Sequence, residues 1–273
     1  MQKIDLHSHT LVSDGSLSPV QLLQRAQANS VDILAITDHD SIDAYQQIGN
    51  QALNGLQLIA GIELSTQWRG VGVHIVGLNI DLTSASILSG VAQQEQARSE
   101  RAQLIYQRLT KLGLAIDFER VKEIANQSNI GRPHFAQHLV EMGAVKNMAT
   151  AFKKYLGDGK PGDVKQCWAE LPQIVEWIVG AGGVAVLAHP LKYKLTRTKL
   201  SALLDDFIAA GGAGMEVVSG QQNKDETNKL ARLCNEKNLL ASCGSDFHQP
   251  SQWSEIGAMA AFPSECEPVW ATW

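Results

Sequence analysis

The feature that most constrains this chain is a regular alternation of short apolar runs with amphipathic segments. Runs of strand length occur at 3–7, 32–37, 56–64 and 71–78, and helical patterns lie between the first three. Continuous apolar runs separated by helices are typical of parallel strands covered on both faces. The first 83 residues therefore predict a parallel sheet with helices outside it.

The alternation stops at residue 84, and a polar, helical segment rich in Gln, Arg and Glu follows. It resumes after residue 168 with four further strand candidates, at 183–190, 214–220, 239–248 and 256–262. Seven or eight strands with intervening helices predict a closed or nearly closed β/α barrel, and an open doubly wound sheet is the alternative. The predicted organisation is the first part of the barrel over 1–83, a helical insertion over 84–168, and the second part over 169–273.

Composition excludes several classes of protein. Hydrophobic residues make up 44% of the 273 positions and charged residues 19%, which is enough for a packed core. No apolar run approaches the roughly 18 residues of a membrane helix, and the N-terminus has no signal-peptide pattern, so we expect a cytoplasmic protein. A net charge of −5 argues against stable binding to duplex DNA and favours short substrates.

The charge is unevenly distributed. The predicted insertion holds 12 Lys and Arg against 8 Asp and Glu, and the rest of the chain holds 11 against 20. An acidic body beside a basic segment fits a cation site that faces an anionic substrate, although uneven surface charge alone would give the same pattern.

Polar residues follow the predicted strands at similar positions. Six of the eight histidines and several carboxylates lie at or near strand ends, with His74 inside its run: His7, His9, His39, His74, His189 and His248, with Asp14, Asp38, Asp40, Glu63 and Asp246. The carboxyl ends of barrel strands share one rim, so these side chains should converge. A lone His is more often structural, and Asp40 also suits a helix cap.

As a set, however, these groups would repel one another and would be costly to desolvate without cations among them. We therefore predict a metal site. Imidazole and carboxylate ligands without thiolate suit Mn²⁺, Fe²⁺ or Zn²⁺ without selecting among them. Six imidazoles with three or more carboxylates, nine ligands at least, exceed the needs of one ion and would serve two or three.

Five separated motifs resemble those of the PHP (polymerase and histidinol phosphatase) family: HSH at 7–9, TDHD at 37–40, Glu63 in GIELS, AHP at 188–190 and GSDFH at 244–248. The TrpH/YciV-type branch is the most similar, because it has Asp at the position of Asp14 and a GRPH motif, here 131–134, in a helical insertion. The resemblance implies a distorted (β/α)7 PHP barrel with three metal ions.

The resemblance also implies ligands for each ion. The first ion would be held by His7, His9, Glu63 and Asp246. Glu63 would bridge to a second ion, completed by His74 and His189. Asp14, His39 and His248 would hold the third. Asp38 would orient a ligand imidazole from behind. Mn²⁺ is the expected activating ion, and Zn²⁺ or Fe²⁺ stay open.

Members of this branch act on 3′,5′-bisphosphonucleotides or trim short RNA in the 5′-to-3′ direction, which implies a metal-dependent phosphoric ester hydrolase. The sequence contains no activated-nucleophile motif, so a metal-bound hydroxide is the expected nucleophile. Arg132 and His134 begin a helix, where anions bind well, and are predicted to hold substrate phosphate; the alternative is a solvated Arg132. Arg132, His134 and Asp246 are the expected catalytic residues, and His134 is a candidate for protonating the leaving oxygen.

Three other functions stay open at this point. They are a histidinol-phosphate-type phosphatase, a metal-dependent hydrolase of C–N bonds, and a non-catalytic, metal-dependent nucleotide sensor. The expected partner is a phosphorylated nucleotide or short RNA, with no membrane and no stable duplex DNA.

Overall fold

A computed structural model of the protein describes residues 2–49, 51–126, 129–165, 167–271 and 273. Seven strands are found in these ranges: β1 (Ile4–Asp5), β2 (Ile33–Ile36), β3 (Gln57–Trp68), β4 (Val71–Leu78), β5 (Val184–Leu187), β6 (Gly214–Ser219) and β7 (Leu240–Gly244).

The α-helices of the described residues begin and end as follows: α1 (Pro19–Ala28), α2 (Asp43–Ile48), α3 (Ala85–Lys111), α4 (Phe118–Ala125), α5 (Arg132–Glu141), α6 (Met148–Ala151), α7 (Leu171–Gly180), α8 (Arg197–Ala209) and α9 (Lys224–Glu236). A π-helical turn (Phe152–Leu156) continues α6, and a 3₁₀ turn (Pro190–Tyr193) follows β5. Local sequence explains several boundaries. At α1, for example, Ser18 and Gln21 form a capping box, and Pro19 occupies the first turn.

The strands form one sheet in the order β1 to β7. The sheet comes close to closing, because the Leu6 amide donates to the Cys243 carbonyl oxygen over 3.1 Å and His9 to Phe247 over 2.9 Å. These bonds join the segment after β1 to the segment after β7. The barrel and the insertion predicted from the sequence are therefore present, and the open doubly wound sheet is not.

Two expectations about strands are wrong. β4 is antiparallel to both β3 and β5, not parallel. The reason is the connection: only Arg69 and Gly70, both at positive φ, separate β3 from β4, whereas a parallel pair needs a crossover of a dozen residues or more. The eighth candidate, residues 256–262, forms no strand but runs as turn and irregular chain beside Gly220, to whose carbonyl oxygen the Ala260 amide donates.

The helices of the insertion have a hydrophobic cluster of their own. Buried side chains of α3, α4 and α5 pack together there, among them Ile105, Val121 and Phe135. The first turns of α3 instead pack on α7, where Gly90 lies so close that a Cβ would meet the Trp177 ring at 2.6 Å. The long helix α3 thus connects the barrel with the insertion. None of the described helices combines the length and the apolar character that crossing a membrane would require.

Candidate metal centre

All nine predicted ligands lie together at one rim of the barrel. His7 and His9 follow β1, His39 follows β2, and Glu63 and His74 lie within β3 and β4. The others come from the loop after β1 and from the segments after β5 and β7: Asp14, His189, Asp246 and His248. Four overlapping groups of three or four of these side chains have ligand atoms within 4.8 Å of one another. The sheet order therefore produces the convergence that the strand-end pattern predicts.

Glu63 is at the centre of the cluster and is fully buried. Its Oε1 lies 2.9 Å from His74 Nδ1 and 2.8 Å from His189 Nε2. Its Oε2 lies 3.0 Å from His39 Nδ1 and 3.3 Å from the Nε2 atoms of both His7 and His9. One carboxylate thus faces five imidazoles, an arrangement suited to bridging two cations.

On the other side of the cluster, Asp14 lies close to several imidazoles. Its Oδ1 lies 3.3 Å from His248 Nε2, and its Oδ2 lies 3.8 Å from His39 Nε2. His9 is close to both sides, because its Nε2 lies 3.4 Å from Asp246 Oδ1 and its Nδ1 lies 3.8 Å from Asp14 Oδ1. Three neighbouring ion positions that share His9 and Glu63 would be compatible with these distances.

Several of these polar atoms are buried and make no hydrogen bond of acceptable geometry with any of the described residues. They are Asp14 Oδ1, His39 Nδ1, Glu63 Oε2 and His189 Nδ1. A buried, unsatisfied polar atom is costly, so a cluster of them needs an explanation such as a bound ion. Imidazole nitrogens and carboxylate oxygens are the donors that Mn²⁺, Fe²⁺ and Zn²⁺ accept. The residues present therefore fit divalent metal ions.

The charge states of the cluster also suit metal binding. Burial alone would raise the pKa of Glu63, but the imidazoles of His39 and His7 lower it well below its usual range. Burial lowers the pKa of His74 to about 4, although Glu63 opposes the shift. Burial lowers the pKa of His7, but the carboxylates of Glu216 and Glu63 raise it by a larger amount. The resulting pKa of His7 is about 10. A proton therefore sits among these carboxylates unless a cation takes its place.

Glu216, in the middle of β6, orients two of the ligands and was missed at the sequence level. Its Oε1 accepts from His7 Nδ1 over 2.6 Å, and its Oε2 accepts from the His189 backbone amide over 2.6 Å. The sequence signal for this role was the position of the carboxylate inside the apolar run GMEVVSG, because a charge buried in a strand requires polar partners nearby.

The contacts given for Asp38 are with the loop after β1 and not directly with an imidazole, so its predicted role in orienting a ligand stays a prediction. Its oxygens accept from the Thr10 amide, the Thr10 hydroxyl and the Ser13 hydroxyl, over 2.6–2.7 Å. Ser13 Oγ lies 3.5 Å from His9 Nδ1, so Asp38 is connected to the imidazole of His9 through this hydroxyl. The short polar side chains of the loop after β1 are nearer to Asp38 than any ligand ring, and Asp38 fixes that loop.

A buried ion pair connects the insertion to the metal rim. Arg98, on α3, pairs with Asp40 at 2.6 Å, directly after the ligand His39. Gln94, one turn earlier, donates to Asp40 Oδ1 over 2.8 Å, and the Ser65 amide donates to the same oxygen over 2.7 Å. Asp40 is therefore not a metal ligand or a simple helix cap, but the attachment point of α3.

Two cavities meet at the cluster. We call the first the arginine cavity; it has a volume of about 490 Å³ and is lined by several of the predicted ligands together with Arg98, Arg101 and Arg132. We call the second the amide cavity; it has a volume of about 620 Å³, and its lining includes Gln47, Gln137 and Gln249. Asp14 and Pro133 belong to the lining of both cavities.

The two predicted phosphate-binding residues lie in different cavities. Arg132 is among the residues of the arginine cavity, and His134 is among those of the amide cavity. The Gly131 amide donates to His134 Nδ1 over 3.0 Å, so the neutral ring carries its hydrogen on Nε2. Burial lowers the pKa of His134 below its usual value; Asp14 opposes this shift and Arg98 adds to it, and the lowered pKa favours the neutral ring.

Arg101 is a further cation of the arginine cavity that sequence reasoning did not single out. It is buried, stacks over the Trp168 ring at 5.1 Å, and donates through Nε to the Val164 carbonyl oxygen rather than to a carboxylate. Burial lowers the pKa of Arg101 to about 9, and the neighbouring cations Arg132 and Arg98 contribute. Repulsion among these guanidinium groups favours an anion between them. Lys192 also lines this cavity, and its ammonium group lies against Asp246.

Comparisons with known proteins agree with this geometry. The family model described as the PHP domain matches residues 5–114. The chain is 44% identical over 273 residues to the 5′-3′ exoribonuclease Rnm of Escherichia coli, with 98% of this chain and 93% of that protein covered. It is 42% identical over 273 residues to the 3′,5′-nucleoside bisphosphate phosphatase of Chromobacterium violaceum, with coverages of 99% and 96%.

A solved structure gives a further likeness. It is described as an amidohydrolase from Chromobacterium violaceum with bound SO4 and no metal. The TM-score is 0.89 at 42% identity, and the match covers 98% of this chain and 94% of that one.

Proposed function

The chain belongs to the PHP domain family, and from that premise we propose that it is a metal-dependent phosphoesterase acting on nucleotides. The proposed reactions are release of the 3′-phosphate from 3′,5′-bisphosphonucleotides and 5′-to-3′ trimming of short 5′-phosphorylated RNA. The observation that carries the proposal is a cluster of nine imidazole and carboxylate ligands beside a cavity lined by three arginines.

The nine residues named from the resemblance would hold two or three divalent ions, with Mn²⁺ as the first candidate. Bound ions of this kind lower the pKa of water and neutralise the charge of a phosphate that is attacked in line. His7, His9, Glu63 and Asp246 would hold one ion, Glu63, His74 and His189 a second, and Asp14, His39 and His248 a third. Glu216 would keep His7 in position for this task.

The arginine cavity would bind the terminal 5′-phosphate. Arg132 offers a forked donor there, and Arg101 offers a desolvated one held by Trp168 and Val164. With that phosphate fixed, the 3′ ester of the same nucleotide would reach the ligand cluster. Lys192 would move from Asp246 to a phosphate oxygen, since its side chain is 56% exposed.

The same bond would break in both reactions. Cleavage of the bond between phosphorus and O3′ gives a 5′-mononucleotide, with either inorganic phosphate or a shortened 5′-phosphorylated chain as the second product. His134 Nε2 carries a hydrogen and would donate it in a hydrogen bond to the scissile phosphate or to O3′. Its lowered pKa argues for this neutral donor rather than for an imidazolium acid.

The test is phosphate release from adenosine 3′,5′-bisphosphate by metal-free protein resupplied with Mn²⁺. We expect rapid release by the wild type and a loss of about 100-fold or more in Asp246→Ala. Asp225→Ala, an exposed carboxylate of α9, is the matched control and should keep full activity. Equal or better activity on histidinol phosphate, or no phosphate release from the bisphosphate, would contradict the proposal.

A further inference from the structure

Apart from Asp14 and His134, the residues that line the amide cavity have no role in the proposed hydrolysis of a bisphosphonucleotide. Its volume of about 620 Å³ lies within the range of about 300–1,000 Å³ that is usual for ligand clefts. The cavity is formed between the barrel and the insertion, with Leu11 and Gln47 on one side and Val91 and Gln137 on the other. A cleft of this size beside the reacting atoms is large enough to bind part of a substrate.

The position of the cavity relates it to the scissile phosphate. Asp14, a predicted ligand, and Pro133, in the first turn of α5, are shared with the arginine cavity. Arg132 lies on one side of Pro133 and His134 on the other. A phosphate at this junction would therefore have the arginine cavity on one side and the amide cavity on the other.

The lining of the amide cavity suits a neutral group. No lysine or arginine occurs among the described residues that line it, and Asp43 and Glu95 add exposed carboxylates. The amides of Gln47, Gln137 and Gln249 can hydrogen-bond ribose hydroxyls and base edges. The neighbouring apolar side chains, which can contact the face of a base, are Leu11, Val91 and Met148.

We propose that the amide cavity binds the second nucleoside of a 5′-phosphorylated dinucleotide, the one that stays esterified to the scissile phosphate. This inference rests on the proposed function and extends it to the far side of the reacting phosphorus. The oxygen of water bonds to phosphorus, the bond to O3′ breaks, and O3′ takes up a proton. The products are a 5′-mononucleotide from the arginine cavity and a 5′-phosphorylated nucleoside from the amide cavity.

The experiment compares two substrates that differ only in that second nucleoside, adenosine 3′,5′-bisphosphate and the dinucleotide pApA. Gln47→Trp and Gln137→Trp fill the amide cavity from opposite walls, and both positions are exposed. Gln93→Trp is the matched control, because Gln93 is exposed on α3 and lines neither cavity. Thermal melting of each variant verifies that it is folded.

We expect kcat/KM for pApA to fall about tenfold or more in the two cavity variants, while hydrolysis of the bisphosphate stays within about twofold of the wild type. Such a tenfold loss corresponds to about 1.4 kcal/mol of discrimination. The control should resemble the wild type on both substrates.

The inference would be overturned by a wild type that hydrolyses the bisphosphate but not pApA. It would also be overturned by cavity variants that cleave pApA normally, or by folded variants that lose both activities equally. In the first case only the phosphatase part of the proposed function stands, and in the second case the whole proposed function stands without the inference. If the wild type did not hydrolyse the bisphosphate, the proposed function itself would be wrong.

Discussion

At the scale of single residues, the proposed metal centre depends on buried carboxylates that each face more than one imidazole. Glu63 contacts five histidine rings while one of its oxygens has no hydrogen-bond partner. Glu216 stands behind the cluster, where it fixes the ring of His7 and the backbone of His189. Residues that orient metal ligands in this way are usually as sensitive to substitution as the ligands.

Glu216→Gln should weaken metal binding by about 10- to 100-fold, because the amide can no longer accept equally from the His7 ring and the His189 amide. The Kd for Mn²⁺, measured by calorimetric titration of metal-free protein, checks this expectation. Glu176→Gln, at an exposed position of α7, is the control. An unchanged Kd in Glu216→Gln would show that the carboxylate does not position the ligands.

At the scale of elements, the strand–helix alternation was sufficient to predict the barrel, and the bounds of the insertion stay a prediction. Strand direction was not predictable from apolar runs alone, because a continuous run looks the same in parallel and antiparallel pairs. The short β3–β4 connection decides that direction. The role of Arg98 was also hidden, since an arginine on a polar helix is normally solvated.

Arg98→Leu should destabilise the protein by about 3–5 kcal/mol, because Asp40 would be left buried without its cation. Urea denaturation of metal-free protein measures the loss, and Lys111→Leu, exposed on the same helix, is the control. A cost below about 1 kcal/mol would mean that the pair does not hold α3 to the barrel.

The same pair predicts a dependence on pH. Burial alone would raise the pKa of Asp40, but Arg98 and the Ser65 amide lower it below its ordinary value of 3.8. The stabilisation is therefore present above that value and is lost as the pH falls through the lowered pKa. The difference in stability between wild type and Arg98→Leu should shrink in acid, and a constant difference between pH 7 and pH 3 would contradict the assignment.

Gly244→Ala should disrupt the centre, because a Cβ at the end of β7 would lie 2.2 Å from the Cβ of His7. We expect His7 to be displaced and Mn²⁺-dependent activity to fall about tenfold or more. Gly72→Ala, in β4, is the comparison, since its Cβ would meet only the flexible Lys165 side chain at 3.6 Å. Full activity of Gly244→Ala would show that β1 and β7 are not packed this closely.

At the scale of the whole molecule, predicted ligands separated by more than 200 residues, such as His7 and Asp246, lie together because the first and last strands of the barrel are neighbours. Bound ions should therefore stabilise the entire fold and not one loop. Which ligands converge was predictable from strand ends and family motifs. The cavity that each insertion residue faces was not predictable from the sequence, because the course of the helices from α3 to α5 depends on tertiary packing.

Removing metal with a chelator should lower the melting temperature, and Mn²⁺ should restore it in a concentration-dependent way. An ion present at 100 times its Kd adds about 2.7 kcal/mol, which corresponds to several degrees in a protein of this size. Calorimetric scans measure the shift, and Asp246→Ala should gain less stability from Mn²⁺ than the wild type. Identical melting with and without Mn²⁺ would contradict a role for ions in the fold.

The most direct test of the central claim is anomalous X-ray scattering from crystals of the protein grown with Mn²⁺. We expect two or three anomalous peaks from manganese among the nine predicted ligands, with Glu63 between two of them. We also expect that His9, Asp14, His39 and His248 surround a peak on the Asp14 side. Crystals of folded protein without an anomalous peak in this cluster, or with manganese bound only elsewhere, would contradict the metal centre and the reaction proposed for it.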